Sequence, residues 1–549
     1  MRHLIERLYP DAADEVMAGI SALKNSYDGH QNERPLDHTD SILITYGDSF
    51  IRAGQAPLVT LKEVADTYLE PLSAIHLLPC FPYSSDDGFS VIDYYQINPE
   101  LGDWGHIEDL AKDRDLMFDA VVNHMSKESK WFQGFLNGDP RFSDYFIEAD
   151  PSLDYSAVVR PRALPLLHVF EKEGNPVSVW TTFSEDQVDL NYRSPKVFLQ
   201  VLDILLYYAS KGARYVRLDA IAFLWKELGT SCIHLDQTHE VIQVYRKVIE
   251  DMGKQIVLIT ETNVPHEENI SYFGNGTNEA HMVYNFTLPP LLAHSLRTQD
   301  VTELTDWAGT LELQGGTCFF NFTASHDGVG VRPLQGIIAT DQIEALADTA
   351  IAHGGFVSYK DNGDGTKSPY ELNCNYMDLL TPPDRPDAER IDRFLLTQSV
   401  LLSMPGVPGI YFHSIFGSQN DREAALSSGI NRRINRSKLD AGELSAVLSN
   451  PDSFRAKVYR AYMALLEVRT TEPVFNPYGQ AGYERIGSVF VITRKQHSES
   501  FFGLHNFSDA AVDIKTFAPD AVDLLTGKKM NEATWQLPPF GFLWIKTKG

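Results

Sequence analysis

Three carboxylates stand at corresponding places in three apolar runs. Asp219 closes Tyr215–Asp219, Glu261 closes Ile256–Glu261, and Asp327 closes Phe319–Asp327. A short run of Val, Ile, Leu and Phe reads as a buried strand. A carboxylate at the C-terminal end of such a strand sits on the rim of a parallel sheet, where barrel enzymes place their chemistry. Three carboxylates converging on one rim suit acid/base and nucleophilic work, the equipment that cleavage of a glycosidic bond requires. Arg217 lies two positions before Asp219 and so on the same strand face. There it is expected to hold Asp219 ionised, as a nucleophile needs. Glu261, set against an apolar strand, is expected to have a raised pKa, which suits a general acid. Singly, each has an ordinary reading: a buried Arg–Asp pair, an exposed strand-end Glu, a turn Asp. Their joint occurrence at three strand ends carries the argument.

Other residues fall around the same rim. His124 follows Asp119–Asn123, and His326 precedes Asp327. No HxH or HExxH spacing accompanies them, so hydrogen bonding to sugar hydroxyls fits them better than a metal. Asp86 in Ser84–Gly88 and Arg432 in Asn431–Arg436 are placed to pinch a hydroxyl-rich ring. Arg160 and Arg162 flank Pro161 and can present guanidinium forks to an oxyanion.

These residues need a frame. Eight strand-like runs occur: Ser41–Tyr46, Ala74–Leu78, Leu116–Val122, Ala213–Arg217, Ile256–Ile259, His281–Asn285, Cys318–Phe322 and Val407–Phe412. Helix-like segments lie between most of them, among them Ser194–Ser210, Gln237–Met252 and Arg390–Leu402. In the second of these, Val241, Ile242, Val244, Tyr245 and Val248 form an apolar face. Eight alternating strands and helices predict an α/β fold, a (β/α)8 TIM barrel. The intervals after the third and seventh strands are too long for simple connections and are expected as insertions on the catalytic rim. From about Glu472 the texture becomes short strands and turns, which predicts a C-terminal all-β domain. The expected division is a barrel from 1–122, 192–327 and 390–471, with 1–37 as a helical extension. Residues 123–191 and 328–389 would be the insertions and 472–549 the β domain.

The formal charge of −27 over 549 residues argues against nucleic acid and anionic membranes, which want clustered Lys and Arg. It also repels anionic substrates at long range, so any anion site must be built locally from particular arginines. The four cysteines, Cys80, Cys232, Cys318 and Cys374, have no metal-ligand spacing. They fit a reduced, cytoplasmic protein. No signal peptide or membrane span is expected.

The segments Asp119–His124, Arg217–Asp219, Glu261 and His326–Asp327 resemble, in order, the four motifs of glycoside hydrolase family 13, the α-amylase superfamily. Gly88–Asp93, Asn123–Ser126, Arg160–Arg162, Lys226–Cys232 and Asn431–Arg436 resemble its sucrose phosphorylase subfamily. Ser84–Asp93, Val159–Leu167 and Thr260–His266 are similar to the branch that acts on glucosylglycerate. The resemblance implies Asp219 as nucleophile, Glu261 as acid/base and Asp327 as transition-state stabiliser. It implies Asp86, Phe89, His124, Gln187, Arg217, His326 and Arg432 as holding the glucosyl unit, and Arg162 and Tyr370 as phosphate ligands. With Arg160 they make the expected phosphate and acceptor site. Glu371 stands where sucrose-specific members carry Gln, which puts a fructosyl partner in doubt. The expected reaction is reversible phosphorolysis of 2-O-α-D-glucosylglycerate. Sucrose, glucosylglycerol or sucrose 6′-phosphate are the alternative substrates. Retention requires an Asp219–Glu261 carboxyl separation of about 5–5.5 Å. A plain amylase is disfavoured by the Arg160–Arg162 segment and by the lack of calcium ligands near His124. A catalytically dead barrel would ordinarily have lost a carboxylate. The expected partners are an α-glucoside and inorganic phosphate, for a monomer or homodimer with no cofactor and no metal.

Overall fold

The chain folds, in a computed structural model, around a closed barrel of eight parallel strands. The structure describes residues 1–548 except 28–33, 163, 254–255, 314, 363–364, 516–520 and 531–533. The barrel strands are Ile42–Thr45, Ala74–Leu77, Asp115–Val121, Ala213–Asp219, Val257–Thr260, Met282–Tyr284, Cys318–Asn321 and Val407–Tyr411. Each pairs with its sequence neighbour, and the last closes on the first. All eight expected runs are present. Runs of Val, Ile, Leu and Phe succeed here because both faces of each strand are covered, one by the barrel interior and one by helices. The fourth strand is longer than expected: it continues through Leu218 to Asp219, which is its last residue.

The helices follow the same logic. Asp236–Asp251 buries the expected face of Val241, Ile242, Val244, Tyr245 and Val248. Pro195–Ser210 carries proline in its first turn, where the missing N–H is not needed, and it buries nine side chains. Arg2–Leu8 and Ala13–Ser26 lie outside the barrel against Asp236–Asp251 and Pro195–Ser210. Residues 28–33 of the expected helical extension are outside the described residues.

Register places the chemistry. The third and fourth strands slip once, between Leu116 and Met117, and this sets Asp119 opposite Arg217 and Val121 opposite Asp219. A bulge re-aims side chains in this way. An acid and a base therefore face each other across adjacent strands inside the barrel.

Two insertions rise from the rim. After the third strand, His124–Ser126 pairs antiparallel with Gln187–Asp189. Beyond that pair stand the helix Lys130–Leu136 and the hairpin of Leu167–Lys172 with Asn175–Trp180. The hairpin turn, Glu173–Gly174, has both residues at positive φ, the tight form that suits twisted strands. After the seventh strand comes a three-stranded sheet of Val329–Gly330, Lys367–Asn373 and Phe356–Asp361, backed by the helix Thr340–Ala352. Residues 363–364 of this insertion are outside the described residues.

The C-terminal strands Ala481–Ile486, Val489–Gln496, Glu499–Asn506, Phe542–Lys548 and Val522–Asp523 form one antiparallel sheet. It packs on the helix Asp387–Ser403, where Ser399 accepts from Trp544 Nε1 at 2.8 Å and lies 3.0 Å from His505 Nε2. All three residues are buried, so the seam is a satisfied polar contact inside an apolar interface.

Candidate active site

A cavity of about 900 Å³, counting its open mouth, lies at the C-terminal ends of the barrel strands. It is lined by Asp86, Phe89, His124, Arg162, Gln187, Arg217, Asp219, Glu261, His326, Asp327, Tyr370, Glu371 and Arg432. Of the candidates read from the sequence, only Arg160 is not among its lining residues. Arg160 is exposed and donates to the Leu164 carbonyl at 3.2 Å. Of the two arginines, Arg162 lines the cavity and Arg160 does not. The adjoining Ala163 is outside the described residues.

Arg217 organises the floor. Its Nη1 lies 2.6 Å from Asp219 Oδ1 and also contacts Asp119, while Nη2 is 3.8 Å from Glu261 Oε1. Asp119 is buried and held on its other oxygen by His76 at 2.7 Å. Burial pushes the Asp219 carboxyl up to about 8, against the pull of Arg217 and with the charges of Glu261 and Asp119 adding to the rise. Glu261 is also raised, by burial first and by the charge of Asp327. Arg217 thus lowers Asp219 as expected, but its charge is divided with Asp119 and burial wins. Both carboxyls are thus raised above the ordinary carboxylate range, burial being the first cause in each. Arg217 lies nearer Asp219 than Glu261, so its charge favours the ionised form of Asp219 more than that of Glu261. The backbone N–H of Ala220 also points at Glu261 Oε2, at 3.4 Å. Ala220 takes a left-handed φ of 56°, a strained form for a non-glycine residue.

Asp327 behaves in the opposite way. Burial would raise it, but Arg432, His326 and Arg436 together hold it well below the ordinary carboxylate range. Arg432 Nη1 reaches Asp327 Oδ1 at 2.7 Å. His326 stacks on Phe89 at 4.8 Å with nearly parallel planes. Burial lowers His326 to about 3 and His124 to about 4, so both rings are neutral hydrogen-bonding groups.

Arg162 and Glu371 line the cavity, and each is engaged there by protein partners. Arg162 was expected to face an oxyanion. Its Nη2 donates to Asp86 at 2.9 Å and its Nη1 to Gln187 at 3.3 Å, while Gln187 donates to Asp86 at 3.0 Å. It therefore ties the first insertion to the carboxylate after the second strand. Glu371 was expected at the acceptor end. It is buried, gripped by Arg432 Nε at 2.9 Å and Nη2 at 2.6 Å, and bonded by the Gly328 N–H at 3.1 Å. A Cβ on Gly328 would meet Glu371 and the Leu372 carbonyl at under 3 Å, so glycine permits this approach. Tyr370 lines the cavity, its hydroxyl pushed up to about 12 by burial and by the charge of Glu371.

The sequence reading missed Asn263, Phe183, Phe223, Phe286 and Arg332, which also line the cavity. Asn263 sits two residues past Glu261, so its place on the rim was readable. The other four carry no spacing that marks them.

The α-amylase catalytic-domain family matches residues 46–327. The chain is 47% identical over 510 residues to a glucosylglycerate phosphorylase of Spirochaeta thermophila, covering 90% of this chain and 86% of the relative. It is 45% identical over 517 residues to a glucosylglycerate phosphorylase of Escherichia coli, covering 93% and 92%. Among solved structures, sucrose 6F-phosphate phosphorylase from Thermoanaerobacter thermosaccharolyticum superposes with a TM-score of 0.75 at 25% identity, covering 86% of this chain and 94% of that one.

Proposed function

The chain belongs to the α-amylase family, and from that premise we propose that it is a retaining glycoside phosphorylase. It converts 2-O-α-D-glucosylglycerate and inorganic phosphate reversibly into α-D-glucose 1-phosphate and glycerate. The observation that carries the reading is identity of 45–47% over about nine-tenths of the chain to relatives bearing that activity in their names.

The site residues take the following roles in the proposal. A carboxylate oxygen of Asp219 attacks the anomeric carbon of the glucosyl unit. The bond from that carbon to the glycerate oxygen breaks, and the proton of Glu261 passes to the departing oxygen. A β-glucosyl ester on Asp219 remains. A phosphate oxygen then attacks the same carbon from the other face, the ester breaks, and the Glu261 carboxylate takes the proton the phosphate loses. Two inversions give net retention. Asp327 steadies positive charge on the ring, its own charge secured by Arg432. Asp86, His124, Gln187 and His326 hold ring hydroxyls, with Phe89 fixing the His326 plane. Tyr370 faces the leaving group and phosphate, while Arg162 keeps Asp86 ionised and in place for the glucosyl unit.

The proposal extends to organisation and place: 123–191 and 328–389 are insertions that wall the cavity, and 472–549 is a C-terminal β domain. No described helix is long and apolar enough to cross a membrane. The four cysteines are unpaired and buried, which supports a cytoplasmic setting.

Proton NMR of glucosylglycerate with phosphate tests the chemistry. The first-formed product should be the α anomer of glucose 1-phosphate, appearing only when phosphate is present. Initial β anomer, or free glucose at the same rate with and without phosphate, would contradict the proposal.

A further inference from the structure

Four arginines line the cavity, and three are occupied. Arg162 pairs with Asp86, Arg217 with Asp119 and Asp219, and Arg432 with Glu371 and Asp327. The fourth, Arg332, lines the cavity too, and its guanidinium makes no ion pair or hydrogen bond to a described residue, although its backbone carbonyl accepts from the Gln335 N–H at 3.0 Å. It lies in the second insertion, in the short turn Arg332–Leu334 that follows Val329–Gly330. The neighbouring Val331 N–H donates to the Tyr370 carbonyl at 3.1 Å, and Gly330 is registered with Glu371. Arg332 therefore follows a strand paired with the one that carries Tyr370, and both residues line the cavity. The same wall offers a hydrogen-bond acceptor. Asn263 Oδ1 is buried with no partner, and its amide packs so closely on Gly330 that a Cβ there would lie 2.4 Å from it.

A cavity-lining guanidinium with no protein counter-ion is free to take an anionic ligand, and its planar fork suits a carboxylate. In a chain of net charge −27 an unpaired arginine facing the reaction cavity is a local exception to a repulsive field. Lys360, on the adjacent strand Phe356–Asp361, is close enough to be lowered by burial and by the charge of Arg332, so positive charge accumulates on this wall. The geometry points to Arg332 as the residue that selects the aglycone, by a fork of hydrogen bonds to the carboxylate of the small hydroxy acid. Asn263 Oδ1 accepts from one of that acid's hydroxyls. This inference rests on the proposed function, since it deepens the account of the same site. It also moves the anion-reading role away from Arg162, whose guanidinium is already engaged.

The test uses α-glucosyl fluoride as donor, whose leaving group needs no aglycone site. Transfer to D-glycerate, to glycerol and to inorganic phosphate is measured for the wild type, Arg332→Gln and Arg332→Lys. The ratio of kcat/KM for glycerate over glycerol within one variant is independent of how much of it is folded. That ratio should fall by about ten-fold or more in Arg332→Gln, through KM, and be partly restored in Arg332→Lys. An unchanged ratio, equal loss on glycerol, or a rise in phosphate KM with glycerate untouched would overturn the inference. If the wild type does not prefer glycerate to glycerol, the proposed function fails, and the inference with it. A wild type that prefers glycerate beside an Arg332→Gln with the same preference overturns the inference alone.

Discussion

Asp119 and Asp219, on neighbouring strands, share one nitrogen of a single arginine: Arg217 Nη1 contacts both. Burial is the first cause of the raised Asp219, and the charge of Asp119, competing for the same arginine, adds to it. Asp119→Asn removes the competing charge and leaves Arg217 to Asp219. Asp219 should then ionise at lower pH, and the acid limb of kcat/KM should move down. The same change breaks a buried ion pair and should destabilise the protein by about 3 kcal/mol. A pH-rate profile and a thermal melt check both. An acid limb that moves up would contradict the assignment.

Glu261→Gln removes the proton donor without changing shape. Turnover of glucosylglycerate should fall by about a hundred- to ten-thousand-fold. Glucosyl-ester formation from α-glucosyl fluoride, whose leaving group needs no protonation, should fall far less. Equal losses on the two donors, measured by rapid-mixing kinetics, would mean that Glu261 is not the acid.

Asp219→Asn should separate stability from activity. Asp219 is raised in the folded protein, so its contribution is fully present below the unfolded carboxylate pKa and is lost as pH rises toward about 8. The asparagine variant escapes that loss. Its melting temperature relative to the wild type should therefore rise between pH 5 and pH 8, with activity abolished. A relative melting temperature that falls over that range would reverse the sign of the argument.

Arg162→Ala should act through Asp86. Burial raises Asp86, but Arg162 is the largest influence holding it below its ordinary range, ahead of Arg432 and Arg436. Without Arg162 the carboxyl should protonate at higher pH, and KM for every glucosyl donor should rise by about ten-fold, whatever the aglycone. A loss confined to phosphate would return Arg162 to the role the sequence suggested.

The barrel was legible because its strands are covered on both faces, so runs such as Ile256–Ile259 are apolar without interruption and Cys318–Phe322 is broken only by Asn321. Asp219, Glu261 and Asp327 were legible because the rim follows those runs directly. The hairpin around Glu173–Gly174 was not, since Val169 faces solvent and its strands carry little alternation. Arg332 was invisible for another reason. Its meaning lies in what it does not touch, and an unpaired arginine has no signature in a sequence. Glu371 stood out as a departure from a related pattern, yet its partners, Arg432 and Gly328, lie 61 and 43 residues away in the chain.

The most direct measurement is glucose 1-phosphate release, with inorganic phosphate, from 2-O-α-glucosylglycerate, 2-O-α-glucosylglycerol, sucrose and sucrose 6′-phosphate. The account predicts that glucosylglycerate exceeds each of the others in kcat/KM by about a hundred-fold or more. Equal or faster release from any of the other three, or free glucose in place of glucose 1-phosphate, would contradict it.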